Sequence, residues 1–450
     1  MKFNPLVIIV AITGTYLLWR LRFFFILHPF RTARHVLHGL KRRDVAKSLF
    51  LALSGTLGVG NIVGVAVGII LGGAGSVFWM LISTVFAAAL KYSEVTLSCD
   101  GVIRNLDGTH GGMHYALLRF FGKLGHPLSV IYSSAVILLS FFMGAALQSA
   151  ALVGSVGAIF DTPPTLIGIV LAFCVLFATL FGTKIIEKIT AVIIPLTTIV
   201  YIILTVAIIF VCRARLGDAV NSILVGAFSS RGIVGGALGF LFSRAVSEGF
   251  SRGLLSNEAG AGTSSIAHAR TSALHPSMCG LMGVVEVVFD TTLLCTLTAL
   301  AILTAVPNPT SFPDGISLVT AAALTLGTPA LSVLAFCISA FAFSTVICWY
   351  FYGTEAFSAL FGSDGGGRCG VILLPIYLVF VVFGARLPST PIIFVTDTLL
   401  LILTAITSLL LIKKSDRICT LSEGFGLYGS PKKLFAFKRQ KFAPRKKRAK

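Results

Sequence analysis

The residues best placed to do chemistry in this chain are few, and they sit in apolar company. Ser344 and Thr345 are adjacent hydroxyls in one apolar run, Gln148 is an amide in another, and Glu286 and Asp290 lie one helical turn apart in a third. The hydroxyl pair has a plain use, bonding back to the preceding helical turn. A buried amide must find an interhelical partner or a polar ligand. Carboxylates inside apolar runs are functional candidates by default; Glu286 reads either as a proton-sensitive group or as the ion-pair partner of Arg231 or Arg244. Two stretches are rich in glycine. Ser54–Asn61 carries Gly55, Gly58 and Gly60, followed by Gly64 and Gly68; the other carries Gly226, Gly232, Gly235, Gly236 and Gly239 around Ser229, Ser230 and Arg231. An interior glycine costs a helix about 1 kcal/mol relative to alanine. Such residues are kept either for close helix packing or for a deliberate break whose freed backbone groups hold a ligand. The sequence leaves both open.

Enzymatic chemistry finds no support. There is no HExxH pair or nucleophile elbow, and no P-loop through which ATP could drive the protein. The nine cysteines include no CxxC pair and no metal-ligand spacing. His268 and His275 are expected in loops.

The elements that must position these residues are membrane helices. The chain has 450 residues, 56% of them hydrophobic and only 12% charged, with a mean hydropathy of +0.94. A soluble domain is about 25% charged, and no soluble fold of this length hides so much apolar surface. Apolar runs long enough to span a bilayer fall near 5–27, 47–71, 75–98, 127–155, 165–182, 185–211, 222–247, 279–305, 329–361, 370–385 and 389–412, about eleven in all. The first is read as a retained helix, because it outruns the apolar core of a signal peptide. The predicted class is an all-α integral membrane protein.

The formal charge of +19 is concentrated. Arg31, Arg34, Lys41, Arg42, Arg43 and Lys47 form one cluster, and Lys413–Lys450 holds thirteen Lys and Arg. Both flank spans, and eleven spans put them on the same side. Positive-inside asymmetry makes that side cytoplasmic and the N-terminus external, with Arg213 and Arg215 as exceptions. The tail is suited to anionic lipid headgroups. A nucleic-acid partner is excluded for want of a soluble basic domain. The glycine-broken spans are the first and sixth of the ten that follow the N-terminal helix. Interrupted spans in corresponding positions of two halves point to an inverted-repeat transporter. The organisation expected is an N-terminal helix and basic loop over 1–46, five-helix repeats over 47–212 and 213–412, and a basic tail over 413–450.

Five motifs then occur in order between residues 51 and 362. They are Ser54-Gly55-Thr56-Leu57-Gly58-Val59-Gly60-Asn61, Gly72-Gly73-Ala74-Gly75 with Lys91-Tyr92-Ser93-Glu94, Ser256-Asn257-Glu258-Ala259-Gly260, Phe289-Asp290-Thr291-Thr292, and Phe341-Ala342-Phe343-Ser344-Thr345. Together they closely resemble the alanine/glycine:cation symporters. The chain departs from that pattern at Gly111-Gly112-Met113-His114-Tyr115, which lacks a proline, and at Thr263-Ser264-Ser265.

The resemblance implies a LeuT-like fold of ten core helices in a 5+5 inverted repeat, here preceded by one extra helix. It implies symport of a small neutral amino acid (alanine, glycine or D-alanine) with Na⁺, and H⁺ as the alternative coupling ion. A channel is a weaker rival. The first core helix is expected to unwind, so that the amides of Val59 and Gly60 meet the substrate carboxylate. Gln148, Gly235, Gly236 and Trp349 complete the expected substrate site, with Trp349 limiting side-chain size. The sodium ligands implied are the carbonyls of Ser54, Leu57 and Phe341 and the hydroxyls of Ser344 and Thr345. Asp290, Glu286 and Glu258 are expected along the pathway or at an inner gate, Glu258 in a cytoplasmic loop. A multi-pass protein of a bacterial inner membrane is implied, with a monomer sufficient for transport.

Overall fold

The computed structural model describes residues 5–105, 108–180, 182–228, 244–270, 275–361 and 366–428. Nearly all of them are helical; the exception is a short antiparallel hairpin, β1 (Ile103–Asn105) and β2 (Gly108–His110). The long helices are α1 (Pro5–Arg20), α2 (Pro29–Leu40), α3 (Arg43–Thr56), α4 (Val63–Gly72), α5 (Gly75–Asp100), α6 (Met113–Phe120), α7 (Gly122–Gly157), α8 (Pro164–Leu180) and α9 (Thr183–Val211). They continue with α10 (Leu216–Ala227), α11 (Arg244–Asn257), α12 (Pro276–Ala305), α13 (Gly315–Leu324), α14 (Thr328–Phe361), α15 (Gly366–Gly384), α16 (Ser389–Lys413) and α17 (Ser415–Gly424).

Among the described residues, six helices are long and apolar enough to cross a membrane by themselves, and the bent pair α3–α4 makes a seventh. Three of the expected spans, α1, α8 and α15, are shorter apolar helices. The expected span near 222–247 starts as α10 and runs into residues outside the description, so Gly235 and Gly236 lie there too. The first span is shorter than read: α1 ends at Arg20, and Arg22 and Phe23 take positive φ of 54° and 51°. The basic loop that follows folds into α2, which lays Gly39 against Met278 and leaves Phe30 and Leu37 exposed. That division of polar and apolar faces suits a helix lying in the membrane interface. The loop after α12 carries α13, a helix not read from the sequence.

Two groups of helices pack around α3 and α4. In one, α5 is held between α11 and the first half of α12. In the other, α14 lies on α7, α9 and α15. Small residues set the first group's spacing. A Cβ on Gly249 would lie 2.4 Å from the Ser76 carbonyl, one on Gly253 2.3 Å from Ser83 Oγ, and one on Gly280 2.1 Å from Thr96 Oγ1. Close approach through small residues substitutes for the hydrophobic drive that lipid removes.

One face of the molecule is tied together by its polar ends. Arg20 pairs with Asp416, Tyr16 Oη lies 2.9 Å from Ser415 Oγ, and Arg417 holds Asp100 through two bonds of 2.9 and 3.0 Å. The His35 and His275 rings meet Phe425 at 5.1 and 5.2 Å. The C-terminal ends of α1, α5 and α16 therefore share a face with the start of α12. His275 accepts from the Ser277 amide at 3.3 Å and so caps α12.

Gly249→Ala and Gly280→Ala are expected to lower the midpoint of thermal unfolding in detergent, since overpacking costs about 1–3 kcal/mol. Gly64→Ala, whose Cβ meets nothing within 4 Å, should leave it unchanged or slightly raised. Equal midpoints for the three variants would mean that α5 can shift to accommodate a methyl group.

Candidate functional site

The site is built where α3 stops. The chain leaves the helix at Leu57 (φ −74°, ψ 83°), passes Gly58 in an extended conformation (φ −131°, ψ −153°), makes one 3₁₀ turn over Val59–Asn61, and restarts as α4 bent by 64° from α3. Of the two readings of this glycine-rich stretch, the break is the one observed. A Cβ on Gly58 would lie 3.0 Å from both Gln148 Oε1 and Thr345 Oγ1, so a side chain there would press on two other helices. At Gly60 the protein leaves more space: a Cβ there meets only Ser256 Cα, at 3.7 Å. The tightest protein contact of the turn falls two residues earlier.

Unwinding frees backbone groups that the membrane interior must satisfy. The Val59 amide donates to Gln148 Oε1 at 3.2 Å. The Gly58 amide turns to the Thr56 carbonyl at 2.9 Å and to Asn61 Oδ1 at 3.3 Å, so it no longer closes on the Ser54 carbonyl. Trp349 Nε1 donates to the Gly55 carbonyl and Thr345 Oγ1 to the Leu57 carbonyl, both at 3.2 Å. Val59, Leu57, Gln148, Thr345 and Trp349 are all buried.

Residues expected to act together are thus partly brought together. Thr345 reaches across from α14 to Leu57. Ser344 Oγ bonds back to Phe341 O at 2.9 Å, and Ser54 Oγ back to Leu51 O at 2.7 Å. A back-bonded hydroxyl still has lone pairs to offer. The Trp349 indole sits between the broken turn and Gly144, where a Cβ would come within 2.2 Å of Trp349 Cβ, and it meets the Tyr352 ring edge-on at 5.3 Å.

The far side of the turn is held by Asn61, which sequence reading left without a role. Its Nδ2 donates to Asp290 Oδ1 at 2.6 Å and to Ser256 Oγ at 3.0 Å, and Ser256 Oγ donates to Asp290 Oδ2 at 2.5 Å. Asn257 Nδ2 donates to Thr291 Oγ1 at 2.9 Å. Asp290 is buried, and its position is a clamp joining the broken turn to α11 and α12. It lies in a π-helical stretch of α12, Val288–Cys295, and a second such stretch in α7, Ser140–Leu147, ends immediately before Gln148. Widened turns of this kind are frequent at functional sites.

Two expectations are corrected. Glu286 does not pair with Arg244, and Arg231 lies outside the described residues; its partners are Lys91 Nζ at 3.5 Å and His268 Nε2 at 2.9 Å. His268, expected in a loop, lies in the short helix Ser265–His268, while Glu258 is in non-helical chain just past the end of α11; both are buried, in a compact segment folded onto α5. Lys91 and Glu94 were legible as a charged i,i+3 pair in an apolar run, a signal that marks a site by default; they were quoted as motif letters alone.

The profile of the sodium:alanine symporter family matches residues 1–420. The chain belongs to that family. It is 31% identical over 364 residues to the sodium/alanine symporter AgcS of Methanococcus maripaludis, covering 78% of each chain. It is 31% identical over 369 residues to an uncharacterized transporter of Haemophilus influenzae, covering 80% of each. Among solved structures, a Na⁺-coupled sialic acid symporter aligns with a TM-score of 0.57 over 84% of this chain and 82% of that one, at 10% identity. That likeness shows the fold, the LeuT-like arrangement of membrane helices. This family member is a multi-pass transporter and not an enzyme.

Gly58→Ala is expected to abolish substrate binding while the protein still inserts, and Gly60→Ala to retain at least part of it. Ligand-induced thermal stabilisation of the purified variants measures both. The reverse order would return the steric constraint to Gly60.

Proposed function

We propose that this chain imports a small neutral amino acid, alanine or glycine with D-alanine among the candidates, together with Na⁺ by alternating access. The observation that carries the reading is the contact of Thr345 with the Leu57 carbonyl at the unwound turn, beside the Val59 amide held by Gln148. Carbonyls of Ser54, Leu57 and Phe341 with the hydroxyls of Ser344 and Thr345 supply hard oxygens, which suit an alkali cation. Na⁺ would take the place of the Thr345–Leu57 hydrogen bond. The amides of Val59 and Gly60 would meet the substrate carboxylate once Gln148 yields, and the gap bounded by Trp349 would limit the side chain. The names of the relatives support Na⁺ and alanine, AgcS being a sodium/alanine symporter. Proton coupling is the second reading, favoured by the buried acids beside α5.

The face joined by Arg20, Asp100 and Arg417 is assigned to the cytoplasm, because the basic residues of α2 and of the tail flank it. The bacterial inner membrane is the membrane proposed. The ordering into two five-helix repeats over 47–212 and 213–412 belongs to the same proposal.

Proteoliposomes with Na⁺ and pH gradients imposed separately test it. Alanine and glycine uptake should follow the Na⁺ gradient. Replacing Ser344 and Thr345 together by alanine should raise the half-saturating Na⁺ concentration about tenfold or more, since a bond to a charged group is worth about 1.5–3 kcal/mol. Uptake that follows only the pH gradient, or an unchanged Na⁺ requirement in the double variant, would move the cation site elsewhere.

A further inference from the structure

Beside the binding turn lies a second polar cluster. It contains Lys91 and Glu94 on α5, Glu286 on α12, and Glu258 and His268 on the segment after α11, all buried. Lys91 Nζ occupies the cation seat: Ser264 Oγ lies at 2.9 Å, Glu94 Oε1 at 3.4 Å and Glu286 Oε1 at 3.5 Å. Glu94 Oε2 also accepts the amides of Gly260 and Gly262 at 2.9 and 3.1 Å. Glu286 adds His268 at 2.9 Å. Both carboxylates are therefore paired with a cation, although Glu94 Oε1 receives no hydrogen bond of its own.

Glu258 is not. Its Oε2 accepts from Thr263 Oγ1 at 2.5 Å, and no described donor reaches its Oε1. Lys91 and a protonated His268 together balance at most two of the three carboxylates, which leaves at least one negative charge in a dry interior, and an uncompensated buried carboxylate costs several kcal/mol. The charged groups within electrostatic reach of Glu258 are Lys91 and Glu286, with Asp290 already engaged by Asn61 and Ser256. Tyr132 on α7 and Cys348 and Tyr352 on α14 also lie within its electrostatic reach. None of them supplies a further positive charge. Among the described residues, no group of His, Cys, Asp and Glu is arranged to hold a metal ion in its place.

We infer that Glu258 is a proton-binding site, protonated while the segment 258–268 is packed on α5 and ionised when that segment lifts toward the cytoplasmic face. The proton makes the buried carboxyl neutral and lets the segment seal the region beneath the binding turn. Glu258 directly follows Ser256 and Asn257, which hold Asp290 and Thr291, so its charge is linked mechanically to the turn that carries Asn61. The sign follows: acid favours the sealed form, and rising internal pH favours opening. The transport consequence rests on the function proposed above; the protonation itself does not.

Two measurements separate them. Infrared spectra of the full-length protein in liposomes at neutral pH should show the carbonyl stretch of a protonated carboxyl in the wild type, Glu94→Gln and Glu286→Gln, and lose it in Glu258→Gln. A wild type without that band, or a Glu258→Gln spectrum that keeps it at full intensity, overturns the inference. Alanine uptake driven by Na⁺ should rise with internal pH in the wild type and become pH-independent in Glu258→Gln. Thr263→Val, which removes a hydroxyl donor to the carboxylate, should displace the profile to higher pH. A wild-type pH profile in Glu258→Gln overturns the gating role. Absence of alanine uptake in the wild type at every pH sinks the substrate reading instead, with the infrared band still deciding the proton.

Discussion

Everything in this structure is arranged around a helix that stops inside the membrane. Where lipid replaces water, an unwound turn can persist only if protein groups take over its backbone bonds. Gln148, Trp349 and Thr345 do this for Val59, Gly55 and Leu57, and Asn61 does it for Gly58. They come from α7, α14 and the turn itself, so the break is stable only when those helices are in place. The groups that stabilise the turn are also the ones a carboxylate and a cation would displace. A carrier needs this: a ligand shifts a conformational equilibrium only through its differential affinity for the two states.

The same logic explains the polar residues behind the turn. Asp290 does not stand alone in the membrane; Asn61, Ser256 and Thr291 donate to it, tying the broken turn and α11 to the widened turn of α12. Lys91 gathers Glu94 and Glu286. Buried charges survive when they are paired and hydrogen-bonded. These polar contacts thus tie α11 and α12 to α5 and to the broken turn. The glycines of α11 and α12 bring these elements within bonding distance of α5.

Much of the fold was legible because membrane helices announce themselves by length and apolarity. Most span positions agree with the described helices to within a few residues. The exceptions have physical reasons. The first span was drawn too long because Leu21 to Leu27 stays apolar after positive φ at Arg22 and Phe23 has already ended the helix. Helix α13 was missed because it is only ten residues long and sits between two spans. His268 is expected in a loop because a run with four small residues reads as a connection, whereas it ends a short helix, and the segment from Glu258 onward is folded back and buried on α5.

By itself the sequence determined the membrane class, the two glycine-rich stretches where a break could fall and the family, since these rest on composition, local backbone preference and an ordered set of motifs. It also singled out Thr345, Gln148 and Asp290, because a polar group in an apolar run is costly enough to be visible without any contact being known. Only the tertiary structure decided which partner each one takes. Whether Ser344 bonds back while Thr345 reaches across, whether Gly58 or Gly60 is the crowded position, and whether Glu286 meets an arginine or Lys91 all depend on the distance between helices far apart in the chain. That distance is set by packing at sub-ångström tolerance, and no local pattern of residues encodes it.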